Sequence, residues 1–110
     1  MKSIFHFVDG KEFKGDSKRV SNIYNPATGE VQAKVKLASR ADVKSAVESA
    51  ARAFPDWADT PSLSRARILF KFKELIEKNS DELTKLIVSE HGKVYDDAKG
   101  SLVRGLEVVE

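Results

Sequence analysis

The 110-residue sequence predicts an α/β fold: short β-strands in a hairpin-like arrangement over the first third, then three to four helices, together an incomplete domain. Three observations carry this. Phe5-His6-Phe7-Val8 and Lys11-Glu12-Phe13 flank Asp9-Gly10, a dipeptide that closes tight hairpins. Val31, Ala33, Val35 and Leu37 alternate with Gln32, Lys34 and Lys36, the period-two pattern of a strand with one dry and one wet face. From Ser39 onward apolar residues recur at helical spacing. The change of period divides the chain into a β-hairpin and strand region over 1–38 and a helical region over 39–110.

In order along the chain, residues 15–19 are polar and loop-like, and Val20 to Tyr24 form a second short strand. Asn25-Pro26-Ala27-Thr28-Gly29-Glu30 ends it, because Pro and Gly both punctuate. The alternating strand follows. Ser39 is placed to cap the first helix, with Asp42 three residues on as a variant of the capping box. Val43, Ala46, Val47, Ala50 and Phe54 make its apolar stripe. Pro55 disfavours helical backbone at Phe54, so this helix is expected to end or bend there, with Trp57 just beyond as a packing residue. A second helix starts around Thr60-Pro61, since Pro suits the first turn, with a stripe of Ile68, Leu69, Phe72, Leu75 and Ile76. Asn79-Ser80 interrupts, with Glu82 completing another capping arrangement. Leu83, Leu86, Ile87 and His91 lead to Gly92, a natural helix stop. A last helix runs from about Tyr95 with Ala98, Leu102, Leu106 and Val109 on one face.

Bulk properties exclude several classes. Lys plus Arg number 19 and Asp plus Glu 17, a net charge of +2, and no basic run interleaves with aromatics, which argues against nucleic acid as a partner. No apolar stretch approaches the roughly 20 residues of a membrane helix, so no membrane is expected. The start lacks the apolar core of a secretory signal and the arginines of a mitochondrial one, so a cytoplasmic location is expected. Cysteine is absent and the histidines are two, His6 and His91, so neither a thiolate nucleophile nor a zinc-type ligand set is available. The helical rhythm is still running at Gly105-Leu106-Glu107-Val108-Val109-Glu110. Glutamates there oppose the helix dipole by roughly 0.3–1 kcal/mol each, from which truncation of a longer helix is expected. The few short strands are likewise expected to be completed by others.

Candidates for chemistry are few. Gly92, Gly100 and Gly105 stand isolated in helical context and make no phosphate loop. His6 reads as a surface or packing residue. Ser89 and His91 make no triad pattern, and Asp96-Asp97 read as favourable charges in a first helical turn. Arg104, in Leu102-Val103-Arg104-Gly105-Leu106, is the residue to watch. Its planar fork pairs bidentately with carboxylates, and the neighbouring glycine leaves room beside it. A snorkelling surface arginine is the competing reading.

The order of motifs resembles the start of the NAD(P)-dependent aldehyde dehydrogenase superfamily. Those motifs are Asn25-Pro26-Ala27-Thr28-Gly29-Glu30, Ala53-Phe54-Pro55-Asp56-Trp57, Arg65-Ala66-Arg67-Ile68-Leu69 and Glu90-His91-Gly92-Lys93. Residues 65–75 and 104–110 are similar to the CoA-acylating methylmalonate-semialdehyde branch. Ser101 departs from it, since relatives tend to carry an acidic residue there. The resemblance implies the N-terminal part of the aldehyde dehydrogenase fold, residues 39–110 being the helical part of an NAD-binding domain that continues beyond the chain. It implies an enzyme, with NAD and coenzyme A as co-substrates and a small semialdehyde as substrate. A cysteine thiolate attacks the aldehyde, hydride leaves to the nicotinamide, and the thioester loses carbon dioxide and passes to coenzyme A, giving propionyl- or acetyl-CoA. It implies a homotetramer at full length. The family's catalytic cysteine and NAD contacts fall beyond position 110, so no catalytic, cofactor-binding or metal residue carries over and the isolated chain is expected to be inactive. One role carries over: Arg104 matches an arginine that clasps the substrate's carboxylate. Two alternatives stand beside this reading, a segment of a non-acylating aldehyde dehydrogenase and a non-catalytic helical association module.

Overall fold

The computed structural model describes residues 1–110, with strands β1 (Lys2–Ile4), β2 (His6–Val8), β3 (Lys11–Phe13), β4 (Val20–Tyr24) and β5 (Val31–Lys36). Helices α1 (Arg40–Asp59), α2 (Ser62–Lys78), α3 (Ser80–His91) and α4 (Tyr95–Val109) follow. The chain divides into two compact units, Met1–Tyr24 with Glu30–Asp59, and Asn25–Gly29 with Thr60–Glu110.

In the first unit the hairpin forms as expected. His6 pairs with Phe13 and Val8 with Lys11, and Asp9 (φ 56°) and Gly10 (φ 74°) both lie in the left-handed region that a two-residue turn of this hand needs. The alternating segment becomes β5, the centre of a three-stranded sheet in the order β1-β5-β4. It runs antiparallel to β4 with an irregularity at Ile23/Tyr24, and parallel to β1. Strand β1 had no signal in the sequence: three residues cannot show a period, and its partner lies far along the chain. Ala33 on β5 is buried, at 5% exposure.

Ser39 caps α1 as expected. Its amide donates to Asp42 Oδ2 at 2.9 Å and the Asp42 amide donates to Ser39 Oγ at 3.0 Å. Helix α1 does not end at Pro55; it continues to Asp59 with Pro55 and Trp57 inside it. The surroundings explain the tolerance. Residues 51–59 are exposed, so water can meet the Ala51 carbonyl that Pro55 leaves without an amide donor.

In the second unit α2 begins one residue after Pro61, which is its N-cap. The break before α3 falls where expected and Asn79 stands at its N-cap, but the Asn79 side chain makes no capping bond to α3. Its side-chain amide instead donates back to the Leu75 carbonyl at 2.7 Å, closing α2. Gly92 ends α3 in the left-handed conformation (φ 80°), and a β-carbon there would meet the Pro26 ring at 2.9 Å, so both backbone and packing require glycine. Helices α3 and α4 cross over small side chains: Thr84 and Ala98 are fully buried, with Thr84 Oγ1 donating to the Ser80 carbonyl at 2.7 Å. Leu102, Leu106 and Val109 sit half-buried on the same face of α4, as its stripe predicts. The stripes of α1 and α2 are another matter. Val43, Val47 and Phe54 on α1, and Ile68, Leu69, Phe72 and Leu75 on α2, are exposed. Periodicity identifies these faces as apolar, and they remain exposed.

Candidate functional site

The candidate site lies on α4 and on the connection that enters it. Asp96 and Asp97 occupy the first turn of α4, where negative charge suits the dipole. One turn further, Ser101 Oγ donates to the Asp97 carbonyl at 3.3 Å, and Arg104 Nη2 donates to Ser101 Oγ at 3.2 Å. Lys93 comes from the short link between α3 and α4, and its Nζ donates to the same hydroxyl at 3.0 Å. Two cations therefore meet on one serine. Neither forms an ion pair with a carboxylate, although five such pairs form elsewhere in the chain. Arg104 is exposed, while Lys93 and Ser101 are half-buried.

The glycine that borders Arg104 is not the one the sequence suggested. A β-carbon on Gly105 would meet nothing, whereas one on Gly100 would stand 3.5 Å from Arg104 Nη1. The guanidinium folds back along the helix over Gly100, as side-chain direction in helices requires. The arrangement can bind an acid group. Arg104 keeps four of its five N–H donors and Lys93 two of its three after the bonds to Ser101, by the usual inventory of these side chains.

Elsewhere the polar chemistry is structural. Tyr95 Oη donates to Asp81 Oδ1 at 2.8 Å and Lys85 Nζ reaches Asp81 Oδ2 at 2.7 Å, tying α3 to α4. Lys85 and Tyr95 hold the Asp81 carboxyl below its ordinary range, and the hydrogen bond to Asp81 raises the Tyr95 phenol. In the first unit Asp42 is buried at 5% exposure, and its pKa is lowered to about 2, chiefly by the Ser39 amide and further by the Asp16 amide. His6 packs against Phe13, ring centroids 6.1 Å apart, with Nε2 buried and lacking a partner. His91 closes α3 and is exposed. The six glycines lie singly, in turns and loops, at the α3 terminus and within α4. No helix is long and apolar enough to cross a membrane.

The sequence pointed to Arg104 alone. Ser101 lies one turn away on the same helix and was within reach of spacing rules. Lys93 was not, because the left-handed turn at Gly92 breaks the periodicity that would have related it to α4.

This fold and its order of motifs define a class. The chain belongs to the aldehyde dehydrogenase family, whose profile matches residues 13–110. Within the family its relatives include dehydrogenases named for malonate and methylmalonate semialdehyde. It is 43% identical over its whole length to malonate-semialdehyde dehydrogenase of Pseudomonas aeruginosa, covering 22% of that protein. It is 46% identical, over 94% of the chain and 19% of the relative, to the acylating, mitochondrial methylmalonate-semialdehyde/malonate-semialdehyde dehydrogenase of Mus musculus. Among solved structures, a protein from Sinorhizobium meliloti 1021 assigned as methylmalonate-semialdehyde dehydrogenase, in complex with NAD, matches with a TM-score of 0.96. That match has 56% identity and covers 99% of this chain and 22% of the other. The methylmalonate-semialdehyde dehydrogenase of Oceanimonas doudoroffii matches at 0.95 and 46% identity, with the same coverage. The chain thus spans about a fifth of the length of these relatives.

Proposed function

We propose that the chain is the N-terminal segment of an NAD-dependent, CoA-acylating oxidoreductase that converts methylmalonate or malonate semialdehyde to propionyl-CoA or acetyl-CoA. The observation that carries this reading is the agreement of relatives named for these semialdehydes over essentially the whole chain. In this reading NAD takes the hydride and coenzyme A the acyl group, on residues outside this chain, which has no cysteine to attack an aldehyde. Residues 39–110 are then the helical part of the NAD-binding domain, and the full enzyme is a cytoplasmic homotetramer. The isolated 110 residues turn over no aldehyde.

The contribution of this segment is recognition. A methylmalonate or malonate semialdehyde carries a carboxylate that simpler aldehydes lack, and Arg104 is read as its clasp. What supports the role is a guanidinium at the surface, free of any carboxylate of the chain's own and steadied at one corner by Ser101. A charge-assisted contact is worth roughly 1.5–3 kcal/mol, so Arg104→Ala in the complete enzyme should lower kcat/KM for malonate semialdehyde, relative to propanal, about ten- to a hundredfold. Initial rates of NADH formation, with and without coenzyme A, measure this. An equal loss on both aldehydes would refute the clasp, and turnover indifferent to coenzyme A would refute the acylating chemistry.

A further inference from the structure

We infer that Ser101 is a positioning residue for Arg104 and that Lys93 is the second cation of the same carboxylate site. The inference rests on the substrate reading above, and three features of the structure lead to it.

First, the hydroxyl is fully used. Its one hydrogen goes to the Asp97 carbonyl at 3.3 Å, and its oxygen accepts from Lys93 Nζ at 3.0 Å and Arg104 Nη2 at 3.2 Å. A serine in this state has no donor left for a ligand. It fixes its neighbours and does not itself touch substrate. Second, two positive charges bonded to one oxygen lie within about 6 Å of each other, an arrangement that repels unless an anion joins them. No carboxylate of the chain does so, since Lys93 and Arg104 enter none of its ion pairs. Third, the two cations approach from different directions. Arg104 comes from within α4, over Gly100, and Lys93 from the link after the α3 stop at Gly92. Both therefore keep unused donors next to one hydroxyl, two cations within reach of an acid group with two oxygens.

The test uses the complete enzyme with four single substitutions, Arg104→Ala, Ser101→Ala, Ser101→Thr and Lys93→Met. Each is assayed for the ratio of kcat/KM on malonate semialdehyde to that on propanal. Ser101→Ala should lower the ratio about three- to tenfold, and Lys93→Met at least as much, the size of one lost hydrogen bond or charge contact. Ser101→Thr, which can keep both the bond to the Asp97 carbonyl and the acceptor oxygen, should restore it. The ratio in the unaltered enzyme should fall with added salt, and less steeply in Lys93→Met. If Arg104→Ala changes the ratio while Ser101→Ala and Lys93→Met leave it alone, the positioning inference is overturned and the substrate reading stands. If Arg104→Ala itself leaves the ratio unchanged, the Arg104 clasp fails and takes this inference with it. Alanine propagates helix at least as well as serine, so Ser101→Ala tests position and not folding.

Discussion

Gly15 offers a sharp test of what holds the first unit together. Asp42, at the third position of α1, collects the amides of Ser39 at 2.9 Å and Asp16 at 3.1 Å, while Ser39 Oγ donates to Asp16 Oδ1 at 2.6 Å. The helix start and the loop before β4 are thereby locked to each other. Gly15 makes the lock possible: a β-carbon there would stand 2.6 Å from Asp42 Oδ2 and 2.7 Å from Oδ1 and Cγ, with φ at +69°. Gly10 is the matched control, with φ at +74° and nothing within 4 Å of a built β-carbon. Both Gly→Ala changes incur the left-handed penalty of roughly 1–2 kcal/mol. Gly15→Ala must also displace the carboxylate and release one or both amides, each bond contributing about 1 kcal/mol. The expected losses are about 1–2 kcal/mol for Gly10→Ala and about 3 kcal/mol for Gly15→Ala. Denaturant unfolding followed by circular dichroism gives the totals, and amide hydrogen exchange at Ser39 and Asp16 reports the lock itself. Equal destabilisation by the two substitutions, with both amides still protected in Gly15→Ala, would refute the argument.

Two further outcomes follow from the same contacts. The Asp42 carboxyl titrates at about 2 in the fold against an ordinary 3.8, so its contribution is fully present above pH 4 and is lost as pH falls toward 2. Exchange protection at Ser39 should therefore be flat from pH 5 to 7 and fall only in acid, and a loss beginning near neutrality would contradict it. Pro55→Ala should raise the helix content and stability of α1 by about 1 kcal/mol or more, since it restores an amide donor to the Ala51 carbonyl. Far-ultraviolet circular dichroism and thermal unfolding of the variant check this.

What was legible in the sequence was whatever local chemistry decides. The Asp9-Gly10 turn, the Ser39–Asp42 cap and the Gly92 stop each need a particular side chain or its absence within a few residues, and each was read correctly. Pro55 does not end the helix because the rule about the residue before proline is a preference, and an exposed late turn of a helix can bear the lost bond. Asn79 was misread because its side chain had two helix ends to serve and chose the one behind it. Beyond local reach the sequence was silent. It could not give the parallel pairing of β1 with β5, nor Lys93 brought to Ser101 across a helix break, nor Asp42 taking the Asp16 amide from 26 residues away. The apolar stripes of α1 and α2 were visible as stripes, but periodicity says only that a face is apolar. Burial depends on what lies against it.

The division of labour between this segment and its chemistry bears on how the proposed clasp would act. Arg104 and Lys93 would hold an acid group that takes no part in bond making at the aldehyde carbon. Binding at such a remote group helps equally in the ground state and the transition state unless it also fixes the orientation of the reacting end. Held in isolation, the carboxylate would change KM and leave kcat alone. A site in which Ser101 has already ordered both cations gives the acid group one preferred direction, and the short chain of a semialdehyde transmits that direction to the carbonyl two bonds further on. Part of the effect of Ser101→Ala should then appear in kcat. A rise confined to KM would mean that the pair attracts the substrate without aiming it.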